Sequence, residues 1–369
     1  MSLVKRIGNL WSSLISFENL LQAALESARR KRFSPSIAIF HFHLEREVLA
    51  LSRELADGTY QPGPCREFYV HEPKKRLISA SPYRDRVVHH AITRVLNPIF
   101  EPAFIYDSYA CRVDKGTHAA VRRAQAFARK YSYVLKADIR KFFPSIDHQI
   151  LNQRIARRIK DKQVLGLVNR IIEHSNPQEP VDWIFTGDDL FTSQERRRGI
   201  PIGNQTSQFF ANVYLDALDH FVKDDLRIKG YVRYVDDFLV FSDDKKKLAD
   251  VRSQLHRFLG SLRLRLHADK SVIFPVASGI RFLGYRVFPT HRIVVKENVR
   301  RFRRRVRLMQ KRYAAGDLSM MDVRRRLMSW LGHAKNADCH RLCRRMLAKM
   351  SFVRARVDKL REVRRVERQ

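Results

Sequence analysis

The chain has 369 residues, 44% of them hydrophobic, which supports one large domain or two to three subdomains and excludes a disordered basic tail. Lysine and arginine number 72 against 38 aspartates and glutamates, a formal net charge of +34, so the expected partner is a polyanion whose phosphates shed condensed counterions on binding. No apolar run is long enough to span a bilayer, no signal peptide is expected, and four scattered cysteines form no framework; a reducing cytoplasm and no membrane partner are the expectations.

Residues 9–60 carry helical apolar spacing with a break at Phe33-Ser34-Pro35-Ser36. The stretch REFYVHEPKKRLISAS (66–81) alternates instead and turns at Glu72-Pro73-Lys74-Lys75, which predicts a basic hairpin. Helices are predicted from about Tyr83 to Leu96 and over 117–130. In YVLKADIRKFFPSIDHQIL an apolar strand ends at Asp138, and Pro144-Ser145 opens a helix. Residues 175–198 are polar and irregular, the best place for an inserted loop. A turn from Gly199 leads into the apolar helix SQFFANVYLDALDHFV (207–222). Next, YVRYVDDFLVFSDD predicts a tight hairpin with Asp236 and Asp237 at its tip; IRFLGYRVF and HRIVV read as short paired strands. From Lys296 to the end there are 24 lysines and arginines against 7 aspartates and glutamates, without proline and with a break at Gly316. That composition predicts amphipathic helices gripping phosphates, and the whole order predicts an α+β body with a helical appendage.

Two adjacent carboxylates repel each other and are best tolerated in water or on a metal. Asp138, at the end of a separate strand, can face the Asp236–Asp237 tip across a sheet. Mg²⁺ takes oxygen ligands and keeps waters and substrate phosphates, so a few convergent carboxylates suffice to hold two ions for an in-line phosphoryl transfer.

DIRKFF from Asp138, YVDD, GIPIGNQTSQ and RFLGY follow in the order and rough spacing of reverse-transcriptase motifs, and from about Arg66 to Val295 the chain resembles that family. The resemblance implies a right-hand polymerase fold: an N-terminal helical extension (1–62), fingers (63–133), palm (134–295, with the polar insertion at about 175–198) and a basic helical thumb (296–369). It implies an RNA-directed DNA polymerase that uses dNTP substrates and two Mg²⁺ ions on Asp138, Asp236 and Asp237. Arg76, helped by Lys74 or Lys75, matches the family's triphosphate-binding position. Phe143 matches an aromatic gate that excludes a 2′-hydroxyl. Lys270 in LHADKSVIF aligns with a general acid for pyrophosphate. Arg84 and Arg86, flanking Asp85 in YRDRVVHHAI, resemble a motif near the template. Phe282, Leu283 and Gly284, with Arg303, Arg304 and Arg305, are the implied grips on the nucleic acid.

The segment Ile202-Gly203-Asn204-Gln205-Thr206-Ser207-Gln208 departs from the common pattern: Ile202 stands where most members have glutamine, and Gln208 where they have proline. Isoleucine cannot hydrogen-bond, so shape alone would police the nascent pair near Ile202, Gly203 and Gln208. This pattern, with SYACRVDKGTHA and SWLGHAKNADCHRL, resembles the reverse transcriptases of diversity-generating retroelements, which copy a template RNA into cDNA with errors at adenines. That group implies a small basic helical accessory protein as a further partner. No RNase H, nuclease or extended maturase region is expected. Another prokaryotic reverse transcriptase (retron, defence-associated or intron type) and a non-catalytic RNA-binding scaffold are the competing readings.

Overall fold

The computed structural model describes residues 5–71, 75–175, 180–189 and 191–354. The chain divides into two compact units, Met1–Gly116 with Leu135–Ile273, and Thr117–Val134 with Phe274–Gln369.

The first unit opens with the helices Trp11–Ile15, Phe17–Ser27, Pro35–Phe42 and Leu44–Ala56. Ser16 starts the second by accepting the Asn19 N–H, and Pro35, lacking a donor that a first turn would leave unpaired anyway, starts the third. The basic hairpin follows as β1 (Arg66–Val70) and β2 (Arg76–Ala80), antiparallel with Val70 opposite Arg76. Its turn, including Lys74, lies outside the described residues. The next helix, Tyr83–Phe100, outruns its expected end at Leu96 despite Pro98. The reason is packing: Phe100 is buried edge-to-face on Phe209, centroids 5.3 Å apart, and this contact holds the last turn.

The central sheet has the order β4-β5-β3-β6, from β3 (Tyr133–Asp138), β4 (Tyr231–Tyr234), β5 (Asp237–Ser242) and β6 (Val272–Pro275). Along β3 the period of two buries Leu135, Ala137 and Ile139 and leaves Lys136 and Asp138 together on the other, partly exposed face. β5 is apolar and buried through Phe238–Phe241, as suits a strand paired on both sides. The Gln205–His220 helix, beginning just ahead of the expected Ser207, is buried almost all round and packs against Tyr83–Phe100. Pro144 does not open the helix expected of it. The chain turns on Lys141 (φ 47°) into the short helix Phe142–Ser145, and the longer helix His148–Ala156 starts only after Asp147, whose carboxylate accepts the Ile150 N–H at 2.9 Å. A side-chain cap, which satisfies an orphan donor, outcompetes a proline, which merely lacks one. In the polar stretch 175–198, residues 176–179 and 190 lie outside the described set; the rest is irregular apart from the helix Thr192–Glu195.

The second unit holds the helix Thr117–Ala128 and the antiparallel sheet of β7 (Ile280–Phe282), β8 (Tyr285–Val287) and β9 (Arg292–Val294). The basic helices follow as Lys296–Ala314, Met320–Ala334 and His340–Leu347, with Gly316 (φ 90°) at the first break. Phe302, Val306, Met309, Leu318, Val323 and Met346 form their core, and Phe302 stacks flat on Trp330 at 3.9 Å. Among the described residues no helix is long and apolar enough to cross a membrane.

Candidate active site

The β4–β5 hairpin pairs Tyr234 with Asp237, so only Val235 and Asp236 make its turn. Val235 sits at φ 55°, a left-handed conformation that a β-branched residue adopts only when its surroundings impose it. The end of β3 lies beside this tip. The Ile139 N–H donates to the Asp236 carbonyl at 3.1 Å, while the Asp138 carbonyl accepts the His267 N–H at 2.8 Å. Asp138, Asp236 and Asp237 therefore converge from two strand ends. Lys270, on a 3₁₀ turn, donates from Nζ to Asp138 Oδ2 at 2.6 Å, and Lys136 Nζ stands 3.7 Å from Asp237 Oδ2.

The electrostatics record crowding of like charge. Burial, followed by the neighbouring Asp138 carboxylate, raises the pKa of Asp236 to about 6, although Arg76 and Lys270 pull the other way. Burial lifts Asp237 to about 7; Lys136 opposes this, and Asp236 and Asp138 add to it. Asp237 Oδ1 is buried without a hydrogen-bond partner, a lone pair with nothing to satisfy it.

These residues fit divalent-metal binding, because hard oxygen donors with excess negative charge suit Mg²⁺. Among the described residues no group of three or more His, Cys, Asp or Glu is arranged to hold an ion unaided. The Lys270 ammonium on Asp138 compensates part of the cluster's charge, and Mg²⁺ sites draw further ligands from substrate phosphates and water.

The other expected site residues fall into three groups. Around the cluster, Arg76 begins β2 and its charge reaches Asp236; Lys75 lies over the Tyr69 ring at 4.2 Å. Phe142 is buried, whereas Phe143 is half-buried, stands edge-to-face against it and accepts the Ile200 N–H on its carbonyl. The Ile202 carbonyl accepts the Ser79 N–H of β2 at 3.3 Å, and the Asn204 side chain accepts the Ser81 N–H at 3.3 Å. Gly203 has φ 126°, and a Cβ there would meet Ile78 Cγ2 at 3.0 Å; Gln208 is exposed on its helix. Structural employment takes up the second group. Arg84 pairs with Glu54, and the buried Asp85 between the two arginines accepts Tyr60 Oη and the Gly63 N–H, both at 2.8 Å. Arg86 lies over the Tyr83 ring with Nε buried and unpartnered. In the second unit, Phe282 is buried, Leu283 and Gly284 make the β7–β8 turn at φ 48° and 87°, and Arg303, Arg304 and Arg305 are exposed.

Sequence reading missed the support beneath the hairpin. Arg233 is fully buried and paired in a fork to the fully buried Asp219. An arginine and an aspartate among strand and helix residues carry no sign of being partners; the one available clue is that Arg233 alternates with Val232 and Tyr234 at a strand position too near the tip to be free surface.

An antiparallel sheet with helices, offering three carboxylates where two strands meet, is the palm of a right-hand nucleic-acid polymerase. The chain belongs to the reverse transcriptase family: residues 70–287 match the family described as reverse transcriptase (RNA-dependent DNA polymerase). RNA-directed DNA polymerase is its enzyme class, and divalent ions such as Mg²⁺ are that family's general requirement. It is 26% identical over 281 residues to protein YkfC of Escherichia coli (strain K12), covering 65% of this chain and 71% of that one. It is 22% identical over 309 residues to the group II intron-encoded protein LtrA of Lactococcus lactis subsp. cremoris, covering 66% of this chain and 50%, or half, of the relative. A solved apo telomerase from Candida tropicalis, truncated from its C-terminal domain, aligns with a TM-score of 0.47 at 12% identity over 66% of this chain and 59% of that one.

Proposed function

We propose that the protein is the reverse transcriptase of a diversity-generating retroelement, copying a template RNA into cDNA with errors at template adenines. The observation that carries the polymerase part is the meeting of Asp138 with Asp236 and Asp237 beside Lys270 and within the field of Arg76. In this reading the three aspartates hold two Mg²⁺ ions, which when bound supply Lewis-acid stabilisation of the attacking and leaving oxygens. Arg76, with Lys74 or Lys75, neutralises charge developing on the triphosphate. Lys270, paired with Asp138 in the structure, would serve as the general acid that protonates pyrophosphate. Phe143 bars a ribose 2′-hydroxyl. Fingers, palm and thumb divide the chain as its motif order implies, with Arg303, Arg304 and Arg305 gripping the duplex backbone, and a small basic helical protein is the accessory partner.

Primer extension on an RNA template with dNTPs and Mg²⁺ is the direct test. Wild type extends, and Asp236→Ala abolishes extension; equal extension by both overturns the site assignment.

Ile202 supports the error-prone part, because it offers the nascent base pair no hydrogen bond. Restoring glutamine with Ile202→Gln lowers misincorporation opposite adenine relative to the other three bases; an unchanged error spectrum in sequenced cDNA removes Ile202 from the account. Kinship to an intron-encoded protein favours a second reading, an intron-type reverse transcriptase. On that reading wild-type errors show no preference for adenine, so the same sequencing separates the two.

A further inference from the structure

We infer that Arg233 is a positioning residue: its buried guanidinium holds the Val235 carbonyl, and so fixes the turn that presents Asp236 and Asp237. The inference rests on the assignment of those two carboxylates to the reaction centre.

Arg233 is the largest fully buried side chain among the described residues, and its five N–H donors meet five acceptors. Nε donates to Asp219 Oδ1 at 2.6 Å and Nη2 to Asp219 Oδ2 at 2.5 Å; Nη2 also reaches Ser108 Oγ at 3.0 Å. Nη1 donates to Asn212 Oδ1 at 3.4 Å and to the Val235 carbonyl at 3.2 Å. Tyr231 Oη, at 2.8 Å, fixes Asp219 in turn. The backbone of Arg233 is pinned as well, its N–H on the Asp107 carbonyl at 2.9 Å and its carbonyl under the Tyr109 N–H at 3.0 Å.

Filling a core does not require this fork. Two apolar side chains of similar volume can occupy the place of a buried ion pair without loss of fold. What they cannot do is aim a carbonyl. The Val235–Asp236 peptide is planar, so fixing the Val235 C=O also fixes the Asp236 N–H on its opposite edge and with it the direction in which the Asp236 Cα and its carboxylate leave the turn. Val235 is left-handed, a conformation it abandons when nothing holds it. One planar peptide thus transmits the geometry of a buried arginine to a reacting carboxylate.

The test uses the full chain in four variants: Arg233→Lys, which keeps charge but loses the fork; the paired replacement Arg233→Met with Asp219→Leu, which removes both charges and so spares the fold; and each of these two combined with Val235→Gly, which adopts positive φ without strain. Folding is checked by circular dichroism. In the folded paired variant kcat falls about 100-fold, the scale of a slight misplacement of a reacting group. The dNTP KM stays within about threefold of wild type and the Mg²⁺ concentration for half-maximal rate rises, because only the carboxylates have moved. Adding Val235→Gly recovers part of the lost kcat. A folded paired variant with wild-type kcat and Mg²⁺ requirement overturns the inference. So does a loss that Val235→Gly leaves unchanged while thermal stability alone tracks activity. The assignment of the carboxylates fails separately, through Asp236→Ala that still extends a primer.

Discussion

Asp237 carries the clearest residue-scale consequence, because its folded carboxyl keeps its proton to about pH 7 whereas its ordinary value is 3.8. Between those values the folded protein binds more protons than the unfolded chain, so stability falls as pH rises through the window. The stabilisation of the protonated form is fully present below about pH 4 and lost by the time the folded carboxyl ionises near neutrality. Asp237→Asn removes this dependence. In EDTA at pH 8 the variant is more stable than wild type by on the order of 2 kcal/mol and unfolds at a higher temperature, and at pH 4 the two converge. A thermal-melt series across pH in which the curves stay parallel refutes the electrostatic account. Asp138, Asp236 and Asp237 were legible in the sequence because strand-forming residues flank each and because carboxylates at strand ends have few structural uses. The Arg233–Asp219 pair was not: its meaning lies in a fork geometry that only the folded backbone supplies. The contacts of Arg84 and Asp85, which resemble a template motif, were likewise not legible: Arg84 pairs with Glu54, and Asp85 accepts from Tyr60 and Gly63.

At the scale of elements, caps and tertiary packing decided what propensity left open. Alternation found both hairpins and the Gly316 break, but the Tyr83–Phe100 helix passes its expected end because Phe100 has a ring to bury against, and Pro144 yields to the Asp147 cap. Asp161 does more than cap. Oδ1 accepts the Gln163 and Val164 N–H groups at the start of Lys162–Glu173, and Oδ2 accepts those of Leu10 and Trp11 at 2.8 and 3.1 Å, tying the N-terminal helices to the core. Asp161→Ala therefore costs about 2 kcal/mol, the upper end for a cap, whereas capping alone predicts about 1. Chemical denaturation measures the difference, and a loss near the lower figure means the N-terminal anchoring contributes nothing.

For the whole molecule, a net charge of +34 makes affinity for nucleic acid steeply dependent on salt. Plots of log affinity against log salt for a short RNA–DNA duplex are linear, and replacing Arg303, Arg304 and Arg305 with alanine shallows the slope by about 1 for every phosphate that is no longer neutralised. An unchanged slope places the grip on the backbone elsewhere.

The bonds from Ser79 and Ser81 to Ile202 and Asn204 are of two kinds. The Ser79 bond falls on the Ile202 backbone carbonyl, whereas the Ser81 bond falls on the Asn204 side chain. On the proposed reading the strand that starts at Arg76 therefore keeps its anchor when the Ile202 side chain is exchanged, and loosens when Asn204 is shortened.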